Sequence, residues 1–162
     1  METTNQANTL KGRFNVGYKN ILVAVDTSEE SDHIVKAAKA LMLDDGASIS
    51  IITVIQPLYG LYVDMYSALG DLSSIESQAV EYANSTLSEL VSRHGISPDS
   101  AHVITGKPSI EIKTWAESKG VDLIVLGTHG QHGLGLMLGS TANSVLHGAP
   151  CDVLAVRVGK KT

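Results

Sequence analysis

Cysteine occurs once, at Cys151, so no disulfide can form within the chain. Aromatics are nearly as scarce, with one Trp, one Phe and five Tyr. A core of stacked rings is therefore excluded, which leaves Ile, Val, Leu and Ala, the usual filling of a parallel sheet covered by helices. Lys and Arg never cluster beyond Lys160-Lys161, and the formal net charge is −5. That distribution lacks the basic face that duplex nucleic acid or an anionic lipid surface requires. No apolar run nears membrane-spanning length, and Met1 to Lys19 is polar, without the apolar stretch of a signal peptide. We expect a cytoplasmic protein with neither nucleic acid nor membrane as a partner.

What remains is one domain's worth of core: 162 residues, 43% of them hydrophobic. Residues 1–17 show no periodicity and read as a flexible extension, with a domain over 18–159. Ile21-Leu-Val-Ala-Val25 is an apolar strand ending in Asp26. Thr27 and Glu30 have the spacing of a capping box, and Ile34, Ala38 and Leu41 recur at helical spacing up to Gly46. Ile49 to Ile55 is a second strand, followed by a long connection, Gln56 to Leu72, and then a helix from Ser73 to His94. Ile75, Ala79, Tyr82, Leu87, Leu90 and Val91 are expected on the buried side of that helix. Ala101 to Thr105 is a third strand, and Gly106-Lys-Pro108 turns into a helix that Gly120 closes. Asp122 to Leu126, a helix from Ser140 to His147 and a strand Asp152 to Val158 complete the order. Five strands alternating with four helices predict an α/β fold, a parallel sheet with helices on both faces and a ligand site beyond the carboxyl ends of the strands.

Gly127-Thr-His-Gly130, eight residues, then Gly139-Ser140 follows the fourth strand. Spaced glycines let backbone N–H groups approach an anion, and the start of a helix adds partial positive charge. A nucleotide phosphate is the expected anion.

Tyr18-Lys-Asn-Ile-Leu-Val-Ala-Val-Asp26, Gly106-Lys-Pro108, Val121 to Gly127, Gly130, Gly139-Ser140 and Ala149 to Val156 together resemble the universal stress proteins. The resemblance covers Tyr18 to Val158 and implies an adenine-nucleotide α-hydrolase-like sheet of strand order 3-2-1-4-5. It also implies a homodimer paired through the C-terminal strand Asp152 to Val158 and, in one branch of the family, an ATP site. The implied nucleotide contacts are Ala24, Val25, Asp26, Val54, Leu126, Gly127, Thr128, His129, Gly130, Gly139, Ser140, Thr141 and Ala142. ATP, or AMP or ADP, would carry Mg2+ or another divalent cation through its phosphates. Asp26 can accept a ribose hydroxyl or hold a cation-bound water, and Ser140 can offer its hydroxyl and N–H to a phosphate oxygen.

The chain departs from the family's ATP pattern in two ways. Eight rather than nine residues separate the second and third glycines, and Gln131 stands where Arg or Lys is frequent. With fewer cations, N–H groups, the helix terminus and a metal must balance the phosphates, so we expect modest affinity and a leaning toward fewer phosphates.

Other features read blandly. His129, His132 and His147 match no zinc spacing and are taken as loop histidines, His129 near the ribose or phosphates, with no metal site. Cys151 is read as a packed residue rather than a redox sensor. The stretch Leu58 to Tyr66 holds three tyrosines and is either a partner surface or lid, or a self-packed loop. No nucleophile, base and orienter can be traced, and no catalytic residue is expected. The leading expectation is a nucleotide-binding module that regulates an unknown protein partner in the stress response. A nucleotide-independent dimeric adaptor is one alternative, and a slow ATPase or autophosphorylating enzyme using Ser140 or Thr141 is the other.

Overall fold

The computed structural model describes residues 17–57, 72–129 and 138–158. Five strands, β1 (Asn20–Ala24), β2 (Ser48–Ile55), β3 (Ala101–Thr105), β4 (Leu123–Gly127) and β5 (Asp152–Val156), form one sheet of order β3-β2-β1-β4-β5. Every pairing is parallel, with Val23 opposite Ile51 and Val125, and Leu126 opposite Ala155. Between the strands run α1 (Ser31–Lys39), α2 (Leu72–Arg93), α3 (Pro108–Lys119) and α4 (Ser140–Leu146), and a 3-10 turn at Pro98–Ser100 leads into β3.

Alternation within β1 explains the layering. Ile21 and Val23 face one way and pack with Ile34, Val35 and Ala38 of α1 and Leu87, Leu90 and Val91 of α2. Leu22 faces the other way, against Ile112 and Ala116 of α3 and Ala142 and Val145 of α4. Both sides of β1 and β4 are thus sealed, as a continuous apolar strand sequence demands. Gly120 closes α3 in the left-handed region (φ 61°), its N–H bonded to Ala116 and Glu117 carbonyls, a conformation that costs a side-chain-bearing residue steric energy.

Several boundaries differ from the sequence reading. The first helix starts at Ser31, not Thr27, and its N-cap residue, Glu30, makes no side-chain capping bond. It also ends at Lys39 rather than near Gly46, because Leu41 and Leu43 bond the backbone of Tyr18 in a short parallel bridge with Met42. In α2 the buried side is Ala83, Leu87, Leu90 and Val91, while Ile75 and Tyr82 are 48% and 62% exposed. The first half of that helix therefore carries apolar residues that the sheet does not cover. β4 begins one residue after Asp122, whose carboxylate caps the chain entering β1. β5 ends at Val156, although Val158 stays buried. The stretch Leu58 to Tyr66, Gly130, Gln131 and His132 lie outside the described residues.

Candidate functional site

β1 and β4 are neighbours in the sheet, yet the chain leaves β1 for β2 on one side and β4 for β5 on the other. At such a reversal the loops part and leave a crevice beyond the strand ends. Ala24 and Leu126 are the last register pair on the β1 side, and Val25 N–H bonds the Ile52 carbonyl (3.0 Å), holding β2 level with them.

Asp26 organises the exit from β1. Its Oδ1 accepts the Ser28 N–H (3.0 Å) and the Ser28 hydroxyl, and its backbone carbonyl accepts the Ser31 hydroxyl (2.7 Å). A carboxylate that accepts the N–H two residues on closes this turn locally, ahead of the helix start at Ser31. Asp26 Oδ2 carries no bond among the described residues.

Thr128 organises the exit from β4. Its N–H donates to the Val156 carbonyl (2.8 Å), its Oγ1 accepts from Val158 N–H (3.3 Å), and its carbonyl accepts from Gly139 N–H (2.7 Å). The two ends of the glycine segment are thereby drawn together, and α4 starts at once with Ser140. Gly127 is required by proximity rather than by turn geometry: a Cβ there would meet Ile34 Cδ1 at 3.0 Å and the His129 carbonyl at 3.2 Å. His129 Nδ1 lies 3.0 Å from Thr128 Oγ1, while its Nε2 is buried without a partner among the described residues.

These exits enclose a cavity of about 390 Å³, within the range of small-molecule sites. Twelve of the thirteen residues implied by the resemblance line it: Ala24, Val25, Asp26, Val54, Leu126, Gly127, Thr128, His129, Gly139, Ser140, Thr141 and Ala142. The thirteenth, Gly130, is outside the described residues. Six further lining residues escaped the sequence reading: Ser28, Glu30, Ile34, Ile52, Pro108 and Ile112. Three had a legible signal. Ile52 shares a strand face with Val54, and Ile112 follows Pro108 by four residues on one helix face. The described lining includes Asp26 and Glu30 and no Lys or Arg.

Other candidate groups sit elsewhere. His147 Nδ1 lies 2.8 Å from the Asn143 carbonyl one turn back. Cys151 packs at the edge of the α3–α4 core, where burial and then Asp152 raise its thiol pKa, the opposite of activation. β5 is an edge strand, and its first residue, Asp152, accepts the Tyr18 hydroxyl (3.0 Å). No helix among the described residues is long and apolar enough to cross a membrane.

The model of the universal stress protein family matches residues 17–157. Universal stress protein A homolog 2 of Coxiella burnetii is 40% identical over 142 residues, covering 87% of this chain and 96% of that protein. Among solved structures, the protein MJ0577 superposes with a TM-score of 0.73 at 24% identity, over 90% of this chain and 100% of that one. A universal stress protein solved in complex with cAMP gives 0.53 at 23% identity, over 86% and 97%. The order β3-β2-β1-β4-β5 is thus a shared fold, and the match over nearly every described element makes this chain a member of the universal stress protein family.

Proposed function

We propose that the cavity at the β1–β4 reversal binds an adenine nucleotide and that its occupancy regulates the protein's association with another protein in the stress response. The observation that carries this is convergence: an apolar floor, the Asp26 carboxylate and the two ends of a glycine segment meet in one cavity. That a fold neighbour is a universal stress protein in complex with cAMP supports the same ligand class.

Each part has a task that its chemistry suits. Ile52, Val54 and Ile112 offer the apolar surface a purine base needs. Asp26 Oδ2 accepts a ribose hydroxyl or orients a water on a divalent cation. Backbone N–H groups of the first turn of α4, Ser140 to Ala142, with the Ser140 hydroxyl, receive phosphate oxygens. A magnesium ion, when bound through the phosphates, supplies the positive charge that the lining lacks.

We read the site as binding rather than catalytic, because no hydrogen bond ties the Ser140 or Thr141 hydroxyl to a base among the described residues. We also propose a cytoplasmic homodimer through β5, whose outer edge offers backbone groups to a twofold-related strand. Calorimetric titration of nucleotide-stripped protein with ATP, with and without magnesium, tests the reading. Saturable binding supports it. No heat at several temperatures overturns it and leaves the nucleotide-independent adaptor. Phosphate release faster than buffer would instead restore the enzyme.

A further inference from the structure

We infer that His102, Trp115 and Lys119 form an acid-responsive seat for α3: when the His102 ring takes up a proton it becomes a second cation against one indole, and the contact between β3 and the C-terminal half of α3 loosens. The inference is independent of what the cavity binds. It bears on the cavity because α3 is also the helix that brings Pro108 and Ile112 to the lining.

The seat lies at the margin of the sheet. β3 is an edge strand, and alternation divides its side chains: Ala101 and Val103 pack toward α1 and α2, whereas Ile104, and with it His102, faces α3. There the His102 ring lies 4.5 Å from the Trp115 ring, the two planes tilted by 43°. Lys119 Nζ stands 5.5 Å from the centre of the same indole. Trp115 Nε1 is buried and has no acceptor among the described residues, so packing and these two neighbours hold the ring, not a hydrogen bond. Ile112 and Ala116, on the same helix face, are buried in the core beneath it.

A neutral imidazole packs on the indole with no charge to be repelled. A protonated one is attracted to the ring but repelled by Lys119, which already stands over it. Burial, and then the Lys119 charge, push the His102 pKa below its ordinary 6.5. The other titratable groups on the surrounding elements do not offset this. Lys113 of α3 reaches the Ser144 carbonyl (3.4 Å), and neither Glu111 and Glu117 of α3 nor Asp99 of the turn before β3 pulls the value back. β2 places apolar Ile52 opposite His102, and α2 lies across the sheet. Because the folded-state value is depressed, the neutral ring stabilises the fold above 6.5, and that contribution is lost as pH falls through the folded value.

Trp115 is the only tryptophan in the chain, so its emission reports on this contact alone. An imidazolium in contact quenches an indole, and entry of water shifts its emission to the red. Wild-type emission is expected to dim and shift red as pH falls from about 8 to about 5, with a midpoint below 6.5. Amide exchange in α3, corrected for its intrinsic pH dependence, should quicken about two- to fivefold over the same range. His102→Gln should abolish both responses. Lys119→Gln should keep the emission change and raise its midpoint by about 0.3, since one of the two competing charges is gone. Neither side chain belongs to the buried core, and circular dichroism checks that both variants fold. Flat wild-type emission, or a transition that survives in His102→Gln, would overturn the seat. A midpoint unmoved or lowered in Lys119→Gln would overturn the competition of two cations for one ring. An emission change without faster exchange in α3 would overturn the loosening, leaving a titrating histidine and no switch.

Discussion

At the amino end of the sheet, Asp122 accepts N–H groups from Lys19 (2.8 Å) and Asn20 (3.0 Å). The Asn20 amide in turn donates to the Lys119 and Gly120 carbonyls and accepts the Ser48 hydroxyl. At the carboxyl end, neither Asp26 Oδ2 nor the buried His129 Nε2 has a partner among the described residues. Among the described residues, one end of the same sheet has its polar groups mated to each other, while the other holds polar groups in place without mating all of them. A buried or positioned polar group left unpaired costs free energy, so the second arrangement is expected where something else completes the set. Structural and binding polar groups can therefore be separated by asking which are already satisfied.

The comparison can be broken most severely at the closed end. Asp122→Ala orphans two backbone N–H groups at once and is expected to lower stability by about 3 kcal/mol in chemical denaturation, with nucleotide affinity unchanged in the folded fraction. A loss below about 0.5 kcal/mol would mean that water replaces the carboxylate and that this end is not sealed as described. At the rim of the open end, Gly127→Ala places a methyl 3.0 Å from Ile34 Cδ1. Because Ile34 can yield slightly, the expected cost is about 1–2 kcal/mol, together with weaker ligand binding. An unaltered denaturation midpoint would contradict the proximity argument.

Ser140→Asp sharpens the contrast. Ser140 is exposed at the first position of α4, where a carboxylate suits the helix terminus, so stability should move by less than about 0.5 kcal/mol. Affinity for ATP should nevertheless fall about tenfold, through repulsion of the phosphates. Equal affinity in wild type and variant would place the phosphates elsewhere. The smallest effect belongs to neither end. Lys36, then His94, hold the Asp32 carboxyl at about 2, below its ordinary 3.8. A depressed folded-state value stabilises above the ordinary value, and that contribution is lost as pH falls from about 4 toward 2. Asp32→Asn should remove that contribution, lowering neutral stability slightly, flattening acid unfolding over that window and leaving binding nearly as it was. An unchanged acid limb would show that these exposed charges are screened by solvent.

Apolar periodicity made the order of elements and the position of the reversal legible, because burial on two faces leaves little choice of residue in β1 and β4. Ala101 to Thr105 was readable to the residue, being bounded by a turn on one side and a glycine on the other. What the sequence hid depends on contacts between distant segments. Helical spacing cannot reveal that the first half of α2 extends past its support, so Ile75 and Tyr82 were assigned to a buried side they do not occupy. The start of α1 was hidden because Thr27–Glu30 has capping-box spacing, whereas the helix begins only at Ser31, after the turn that Asp26 closes with Ser28. In the site, motif residues were readable from glycine spacing and resemblance. Ile34 was not, since an isoleucine that lines a cavity looks the same in sequence as one that fills a core, and Ile52 and Ile112 were readable only by extending a shared face from Val54 and Pro108.

The bond from Gly139 N–H to the Thr128 carbonyl has a further meaning as a clamp on chain length. The entropy of closing a segment grows only with the logarithm of its residue count. Once the fold supplies the closure at 2.7 Å, adding or removing one residue among about ten changes that cost by only about 0.1 kcal/mol. The eight-residue spacing that sets this chain apart from the nine-residue pattern is, on that scale, almost free, and evolution can vary the reach of the segment without disturbing the strands that hold it.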